Sequence, residues 1–361
     1  MATRKRAGWW WLIFGAAVLA LAVASLLPLA EGNTWWIRFL DFPRVQIAIA
    51  LIAALILYAA VARGAGRFLV IAVGLAALGY HAYKLYPYAP FMPEMAVAAP
   101  MCEPEARLRV MISNVQRGNR QADDVLAAVA AADPDLLLLM ETDEWWDEAL
   151  GPLGASYPHA VQHIPQEATY YGMHLFSKRP LIEPRFTFDF GPETPAVATG
   201  VEMPSGEAVA FHGIHPRPPL YWSQPSTTRD ATILSAALDA AASDRPAIVA
   251  GDFNAVPWER VTRRAMRLGG LLDPRVGRGL RSTYDAQSAL KSWPLDQILY
   301  QPAFTLLDVE RLGEVGSDHY PYVATLCHDP DAAALQAPPA PHADDLEEAR
   351  ASLRAAGAPA P

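Results

Sequence analysis

The chain of 361 residues exceeds one average domain, carries a formal net charge of −9, and is 52% hydrophobic, with the apolar excess gathered in the first ninety residues. Two cysteines are too few for a disulfide framework. Residues 101–328 hold 19 Lys and Arg against 29 Asp and Glu. That balance weighs against tight, sequence-independent binding to duplex DNA, which relies on several basic contacts to phosphates, without excluding a nucleic-acid substrate.

Three apolar runs come first, residues 9–30, 45–62 and 68–86. Each approaches the ~20 residues a helix needs to cross ~30 Å of hydrocarbon. Trp9, Trp10, Trp11, Trp35, Trp36, Tyr83, Tyr86 and Tyr88 stand at their ends, where interfacial aromatic belts form. The alternative for the first run is a signal peptide, because Arg4, Lys5 and Arg6 precede it and Ala22-Val23-Ala24 follow its apolar core. Two further spans would still leave a membrane protein. Arg4, Lys5, Arg6, Arg63 and Arg67 flank one side of the runs, so the charge bias puts the N-terminus in the cytoplasm. Three crossings then place everything after Pro87 outside it, at a bacterial inner membrane.

Residues 89–105 read as a Pro-rich, semi-rigid linker that follows a membrane region of residues 1–88. Residues 106–328 alternate short apolar strands with amphipathic helices and Pro/Gly-rich loops. The strands are expected at 107–113, 136–140, 173–177, 208–213, 247–250, 297–300 and 320–326, and the helices at 123–132, 226–242 and 258–268. The tail, residues 329–361, is rich in Ala and Pro and is expected to be largely disordered, with one short helix at 344–355.

Polar residues gather at the strand ends. Asn114 ends RVMISN, Glu141 ends DLLLLME, His215 ends VAFHGIH, and Asp252 and Asn254 stand where the apolar strand of PAIVAGDFNAVPW becomes a loop. Asp296 begins LDQILY, and Asp318 and His319 lie in GSDHYPYVATL. Each alone has an ordinary explanation as a turn or cap residue. Their joint occurrence at strand ends is much harder to obtain by chance.

Together these residues resemble the endonuclease/exonuclease/phosphatase (DNase I-like) superfamily, which includes DNase I, abasic-site endonucleases, inositol polyphosphate phosphatases and neutral sphingomyelinases. The motifs LLLLMET, GDFN and GSDHYP carry the resemblance, and the three spans with HPRPP after the histidine strand resemble its membrane-anchored bacterial branch. The resemblance implies an α/β fold, a four-layer sandwich of two packed, mainly antiparallel sheets with outer helices, preceded by a three-helix transmembrane region. It implies a metal-dependent phosphodiester hydrolase with the active site at one end of the sandwich. Mg²⁺, or Mn²⁺ in its place, would be held by Glu141 with Asn114 and Asp318, since hard cations choose oxygen ligands. Asp252 would orient or deprotonate the attacking water and Asn254 would hold a phosphate oxygen. His319, polarised by Asp296, would hydrogen-bond the phosphate, and His215 would stabilise the transition state. Tyr170 or Tyr171, and Arg217 of HPRPP, are expected at the substrate.

Two positions depart from the family pattern: Gln297, where histidine is common, and His174, where a small residue or an amide is more usual and where the pocket would be altered. Substrate choice is expected in the loops 157–171, 186–198, 215–225 and 275–293. Arg260, Arg263, Arg264 and Arg267 share one face of a helix, either a solvated basic face or a contact for anionic lipid or a nucleic-acid backbone. If the first and last strands are antiparallel neighbours that both bring residues to the active site, Cys102 and Cys327 fall together at the opposite pole. A disulfide there would suit an oxidising periplasm, the alternative being two separate thiols. The expected partners are the lipid bilayer and a phosphodiester or phosphomonoester, with nucleic acid retained and no protein partner evident. Two other readings stay open: a lipid-directed phosphodiesterase (phospholipase C- or sphingomyelinase-like) or phosphatase, and a catalytically silent domain that binds a phosphorylated ligand.

Overall fold

The computed structural model describes residues 9–357 apart from 31, 167–170, 193 and 220–224. Arg4, Lys5, Arg6 and Tyr170 lie outside the described residues. The chain divides into two compact units, Met1–Pro87 with Pro219–Pro225, and Tyr88–Pro218 with Ser226–Pro361.

In the first unit, three helices are long and apolar enough to cross a membrane: α1 (Trp10–Leu26), α3 (Arg44–Val61) and α4 (Arg67–Leu85), with the short α2 (Trp35–Phe39) between the first two. Their charged residues, Arg44, Arg67 and Lys84, stand at the helix ends, and most large side chains between, Leu69 and Ile56 among them, face outward as a continuous apolar surface. Val18, Ala22, Leu51, Leu55, Tyr58 and Ala77 pack the interior. At one end of this bundle Arg44 is fully buried against Asp41, and His81 Nε2 meets Ser25 Oγ at 2.8 Å. Pairing is what makes an arginine at such depth tolerable.

Among the described residues, the second unit has eleven strands and five α-helices in chain order. These are β1 (Arg107–Asn114), α5 (Ala122–Ala132), β2 (Leu136–Thr142), α6 (Glu144–Ala149), β3 (His159–His163), β4 (Gly172–Ser177), β5 (Leu181–Thr187), β6 (Ala196–Glu202) and β7 (Ala208–Ile214). They continue with α7 (Thr227–Ala242), β8 (Ala247–Asp252), α8 (Arg260–Gly269), β9 (Asp296–Tyr300), β10 (Phe304–Arg311), β11 (Tyr322–His328) and α9 (Asp345–Ala355). One sheet has the order β10-β11-β1-β2-β4-β3 and the other β5-β6-β7-β8-β9. The β1–β2 and β7–β8 pairs are parallel, each joined through a helix as parallel neighbours require.

The sequence explains the layers. Strand residues of period two put Leu108, Val110, Ile112, Leu136, Leu138, Val209, Phe211, Ile248 and Ala250 into one core between the sheets. The opposite faces of the same strands, such as Met111, Leu137 and Leu139, are covered by α5 and α6. Val249 and Ala247 are covered by the Ala-rich stripe of α7 and by α8. Buried on both faces, these strands read as unbroken apolar runs, and the result is a four-layer α/β sandwich.

Four strands escaped the sequence reading for identifiable reasons. β5 contains Pro184, and its pairing with β6 shifts register between Ile182 and Arg185; β10 has a similar shift between Leu306 and Asp308. Such irregularities break the alternation that marks a strand. β3 is short, and β6 is diluted by Ala, Thr and Gly.

Two flanking segments also differ from expectation. The stretch expected as a semi-rigid linker is packed: Ala96 is fully buried, and 97–99 runs beside β10 with Ala99 N donating to Leu306 O at 2.8 Å. In the tail, the short helix expected at 344–355 is α9; it does not stand free in a disordered segment but buries Asp345, Ala349 and Leu353. Composition undervalued both segments, because a few small apolar residues suffice when a preformed surface receives them. Cys102 and Cys327 are joined by a disulfide with Cα atoms 5.8 Å apart, beside the Arg107↔Cys327 end of the β1–β11 ladder.

Candidate active site

The ends of β1, β2, β8 and β9 and the loop before β11 converge on one pole. Asn114 is the hub. Its Nδ2 donates to Glu141 Oε1 at 2.9 Å and to Asp252 Oδ2 at 3.2 Å, while its Oδ1 accepts from Gln116 N at 3.0 Å. Asp252, 1% exposed, lies 3.6 Å from His319 Nε2 and 3.7 Å from His215 Nε2. His319 Nδ1 is 2.8 Å from Asp296 Oδ2. Ser317 Oγ donates to Asn114 O and accepts from His319 N, so GSDHYP is tied directly to the end of β1.

Backbone conformation at this pole is costly. Glu141, Asn254 and Gln116 have φ values of +61°, +48° and +56°, which for residues with a Cβ cost of order 1–3 kcal/mol each and persist only when their surroundings hold them. Gly251 is required: at φ +142° it lies so close to β7 that a Cβ would fall 1.9 Å from Ile214 O. Two buried arginines hold the loop that follows. Arg229 of α7 donates to Asn254 O at 2.9 Å and pairs with Asp230 and Glu259. Arg275 pairs with Asp273 and donates to Gln297 Oε1 at 2.9 Å, and Gln297 Nε2 donates to Ala255 O at 2.8 Å. Gln297, standing where the family more often has histidine, thus ties the GDFNA loop to β9.

Electrostatics follow from this crowding. Burial disfavours the His319 imidazolium, but Asp296 and Asp252 outweigh burial and raise its pKa to about 10. Burial together with Glu141 and Asp252 raises the Asp318 carboxyl above its ordinary value, with His319 opposing. Burial and then Glu141 raise the Tyr171 hydroxyl, with Arg117 and Arg217 opposing. Tyr171 stacks obliquely on His215 with ring centroids 5.2 Å apart. His215, 1% exposed, has no hydrogen-bond partner for either ring nitrogen among the described residues, and Asp296 Oδ1 has none either.

The residues present suit a divalent cation. Glu141, Asp252, Asp296 and Asp318 form a cluster of carboxylates at one pole, and the Asp318 carboxyl is raised by burial first, with Glu141 and Asp252 adding to it. Oxygen donors of this kind favour hard ions. Asp252, Asp296 and His319 also bring one ligand atom each within 4.8 Å of one another.

Asn254 is buried at the site, with one amide proton donated to Pro216 O at 2.9 Å. Arg217 is placed at this pole by its effect on Tyr171. His174 is elsewhere: it lies on β4 between Thr142 and Asp147, and its pKa is lowered because burial outweighs Asp147. The basic face of α8 is partly covered from within the chain, where Asp345 of α9 pairs with Arg264 and Arg267 and Glu348 pairs with Arg264. The sequence reading missed Arg229, Arg275, Ser317 and the aromatic pair Tyr284–Trp293. Those two rings stack 5.7 Å apart, and Tyr284 lies 4.9 Å from His319. Arg229 left one signal, a cation in register with Ile233, Ala236 and Ala240 on the apolar stripe of α7.

A four-layer sandwich whose strand ends carry this acid, amide and histidine constellation defines a class, the metal-dependent hydrolases of phosphoric ester bonds. The model of the Endonuclease/Exonuclease/phosphatase family matches residues 111–319, and the chain belongs to that family. No curated protein sequence matches the chain. Among solved structures, TDP2 from D. rerio in complex with a single-strand DNA product superposes with a TM-score of 0.52 at 18% identity, over 61% of this chain and 99% of that one. The catalytic domain of human Nocturnin, with bound sulfate, gives 0.52 at 20% identity over 63% and 95%. An endonuclease/exonuclease/phosphatase from Beutenbergia cavernae gives 0.50 at 18% over 62% and 72%. Identities this low establish the shared fold.

Proposed function

We propose that the protein is a membrane-anchored, Mg²⁺-dependent phosphodiester hydrolase whose catalytic domain works outside the cytoplasm. The observation that carries this reading is the buried network in which Asn114 joins Glu141 to Asp252, with His319–Asp296 and His215 on the other side of Asp252.

Each side chain has a task set by its surroundings. Asp252 Oδ2 orients the attacking water and accepts its proton, as a carboxylate fixed at a strand end can. His319 stays protonated through neutral pH and donates from Nε2 to a phosphate oxygen, while Asp296 accepts from Nδ1 and fixes the orientation of the ring. His215, with unpartnered nitrogens, serves as a second donor to the charge that develops on phosphorus. The second amide proton of Asn254 is directed to a phosphate oxygen, and Tyr171 and Arg217 border the substrate. Glu141, Asn114 and Asp318 would hold the cation, which when bound neutralises charge on the phosphate and on its leaving oxygen.

A lipid-directed phosphodiesterase or phosphatase is the second reading, favoured by the three helices that suit a bilayer. Nucleic acid stays in the comparison because D. rerio TDP2 was solved with a single-strand product, although the acidic balance of this domain disfavours it. A silent phospho-ligand-binding domain is disfavoured by the presence of every acid, amide and histidine the chemistry uses. The extracytoplasmic placement is supported by the charge bias of the spans and by the disulfide at the pole opposite the site.

The test is hydrolysis by full-length protein in detergent with Mg²⁺, offered phospholipid vesicles, single-stranded DNA, plasmid and a generic phosphodiester. Asp252→Ala should lower the rate about 10²–10⁴-fold on the preferred substrate; an unchanged rate rejects the mechanism. Periplasm- and cytoplasm-specific reporters fused after Pro100 check the orientation.

A further inference from the structure

The Glu141 carboxylate accepts from Asn114 Nδ2 and Arg117 N, but its backbone leaves the ladder. Along β2 and β4 the ladder pairs Met140 with Met173 and then Thr142 with Gly172, so Glu141 is the bulged residue with no partner across the sheet. Pairing with β1 stops at Asn114↔Met140. The positive φ of Glu141 therefore depends on what fixes Thr142, the residue that follows it.

Thr142 is fixed from β4. Gly172 approaches so closely that a Cβ there would lie 2.5 Å from Thr142 O and 2.8 Å from its Oγ1. His174 supplies the second hold, with Nδ1 2.9 Å from Thr142 Oγ1 and Nε2 3.0 Å from Asp147 Oδ1. Asp147 Oδ1 also accepts from Gln162 Nε2 at 2.7 Å, which fixes the carboxylate from β3. A carboxylate can only accept, so Nε2 carries the ring proton and Nδ1 accepts from the Thr142 hydroxyl. Asp147 returns to Thr142 within one helical turn, because Asp143 accepts from Trp146 N at 3.0 Å and so caps α6. A closed ring, Thr142–His174–Asp147–Asp143, thus lies immediately beyond the bulge.

We propose that His174 is a positioning residue for Glu141, holding its carboxylate at the cation site through Thr142. The inference rests on the reading of Glu141 as a cation ligand. His174 itself touches neither substrate nor cation. It performs the task that carboxylate and carbonyl partners perform behind ligating side chains elsewhere, where their loss typically costs 10- to 100-fold in metal affinity or activity.

The test is Mn²⁺ titration of full-length protein in detergent by calorimetry, without substrate, beside thermal melting of each variant. His174→Ala and Thr142→Val should each weaken Mn²⁺ binding about tenfold. Their melting temperatures should stay near that of the parent. The double variant should bind no worse than the weaker single one, because both changes break the same bond. His174→Gln, whose amide can accept from Thr142 and donate to Asp147, should recover most of the affinity. Glu141→Gln is the reference. If it loses Mn²⁺ binding while His174→Ala and Thr142→Val bind as the parent does, or their losses add, the positioning role is overturned and Glu141 keeps its own. If Glu141→Gln binds Mn²⁺ like the parent, the reading of Glu141 fails and the positioning role fails with it.

Discussion

The ends of β8 and β2 reach the same pole by opposite means. Each carries a residue forced to positive φ close to the chemistry, Asn254 beyond β8 and Glu141 on β2. Beyond β8 the loop is braced by buried ion pairs: Arg229 with Asp230 and Glu259, and Arg275 with Asp273. At β2 the brace is a set of hydrogen bonds through Thr142 and His174. The difference predicts how each fails. Removing one member of a buried ion pair strands the other charges out of water, which threatens the whole fold. Removing one hydrogen bond lets a strand end shift and leaves the rest in place.

Arg229→Ala is the severest test of this contrast. It should lower stability by about 3–5 kcal/mol, read as a shift in the denaturation midpoint, because Glu259 and Asp230 lose their buried partner. Near-parental stability would break the comparison.

Replacing both Cys102 and Cys327 by Ser opens a link spanning 225 positions and should cost about 2–5 kcal/mol. Activity per folded molecule should persist, since the bond lies far from the site.

Asp345→Asn extends the comparison to α9, with an expected loss of about 1–3 kcal/mol at neutral pH. Burial works against the Asp345 carboxylate, but Arg267, the His342 amide and Arg264 outweigh it and hold the carboxyl below the usual range. A lowered folded-state pKa contributes stability above the unfolded value of 3.8 and loses it as pH falls further. The melting difference between parent and variant should therefore be constant near neutrality and shrink below about pH 4.

Thr142→Val is the smallest, about 0.5–1.5 kcal/mol, with a change in cation affinity out of proportion to that loss. A loss as large as that of Arg229→Ala would erase the distinction between the two strand ends.

Much of the site was legible because strand ends leave a local signature: an apolar run that stops at a polar residue. Asn114, Glu141 and Asp252 satisfy it, His319 shows its mirror image as a polar residue just ahead of an apolar strand, and all converge. The braces were not legible. Arg229 and Asn254 are 25 positions apart, and His174 and Thr142 are 32 apart. No local pattern joins residues so separated, since their contact exists only once helices and sheets have stacked. His174, expected to alter the pocket, bonds Thr142 and Asp147, because side chains alternate along β4 and its own faces α6.

The sequence by itself determined the apolar runs of the first unit, the period-two strands of the second, and the acids, amide and histidines at their ends. These depend on neighbours a few residues away, where periodicity and turn chemistry act. Tertiary structure alone decided the packing of residues 97–99 and α9 against the sandwich, the masking of Arg264 and Arg267, and the partners that hold Asn254 and Glu141 in place. Those outcomes depend on burial, which removes water as a competitor and makes each distant partner decisive.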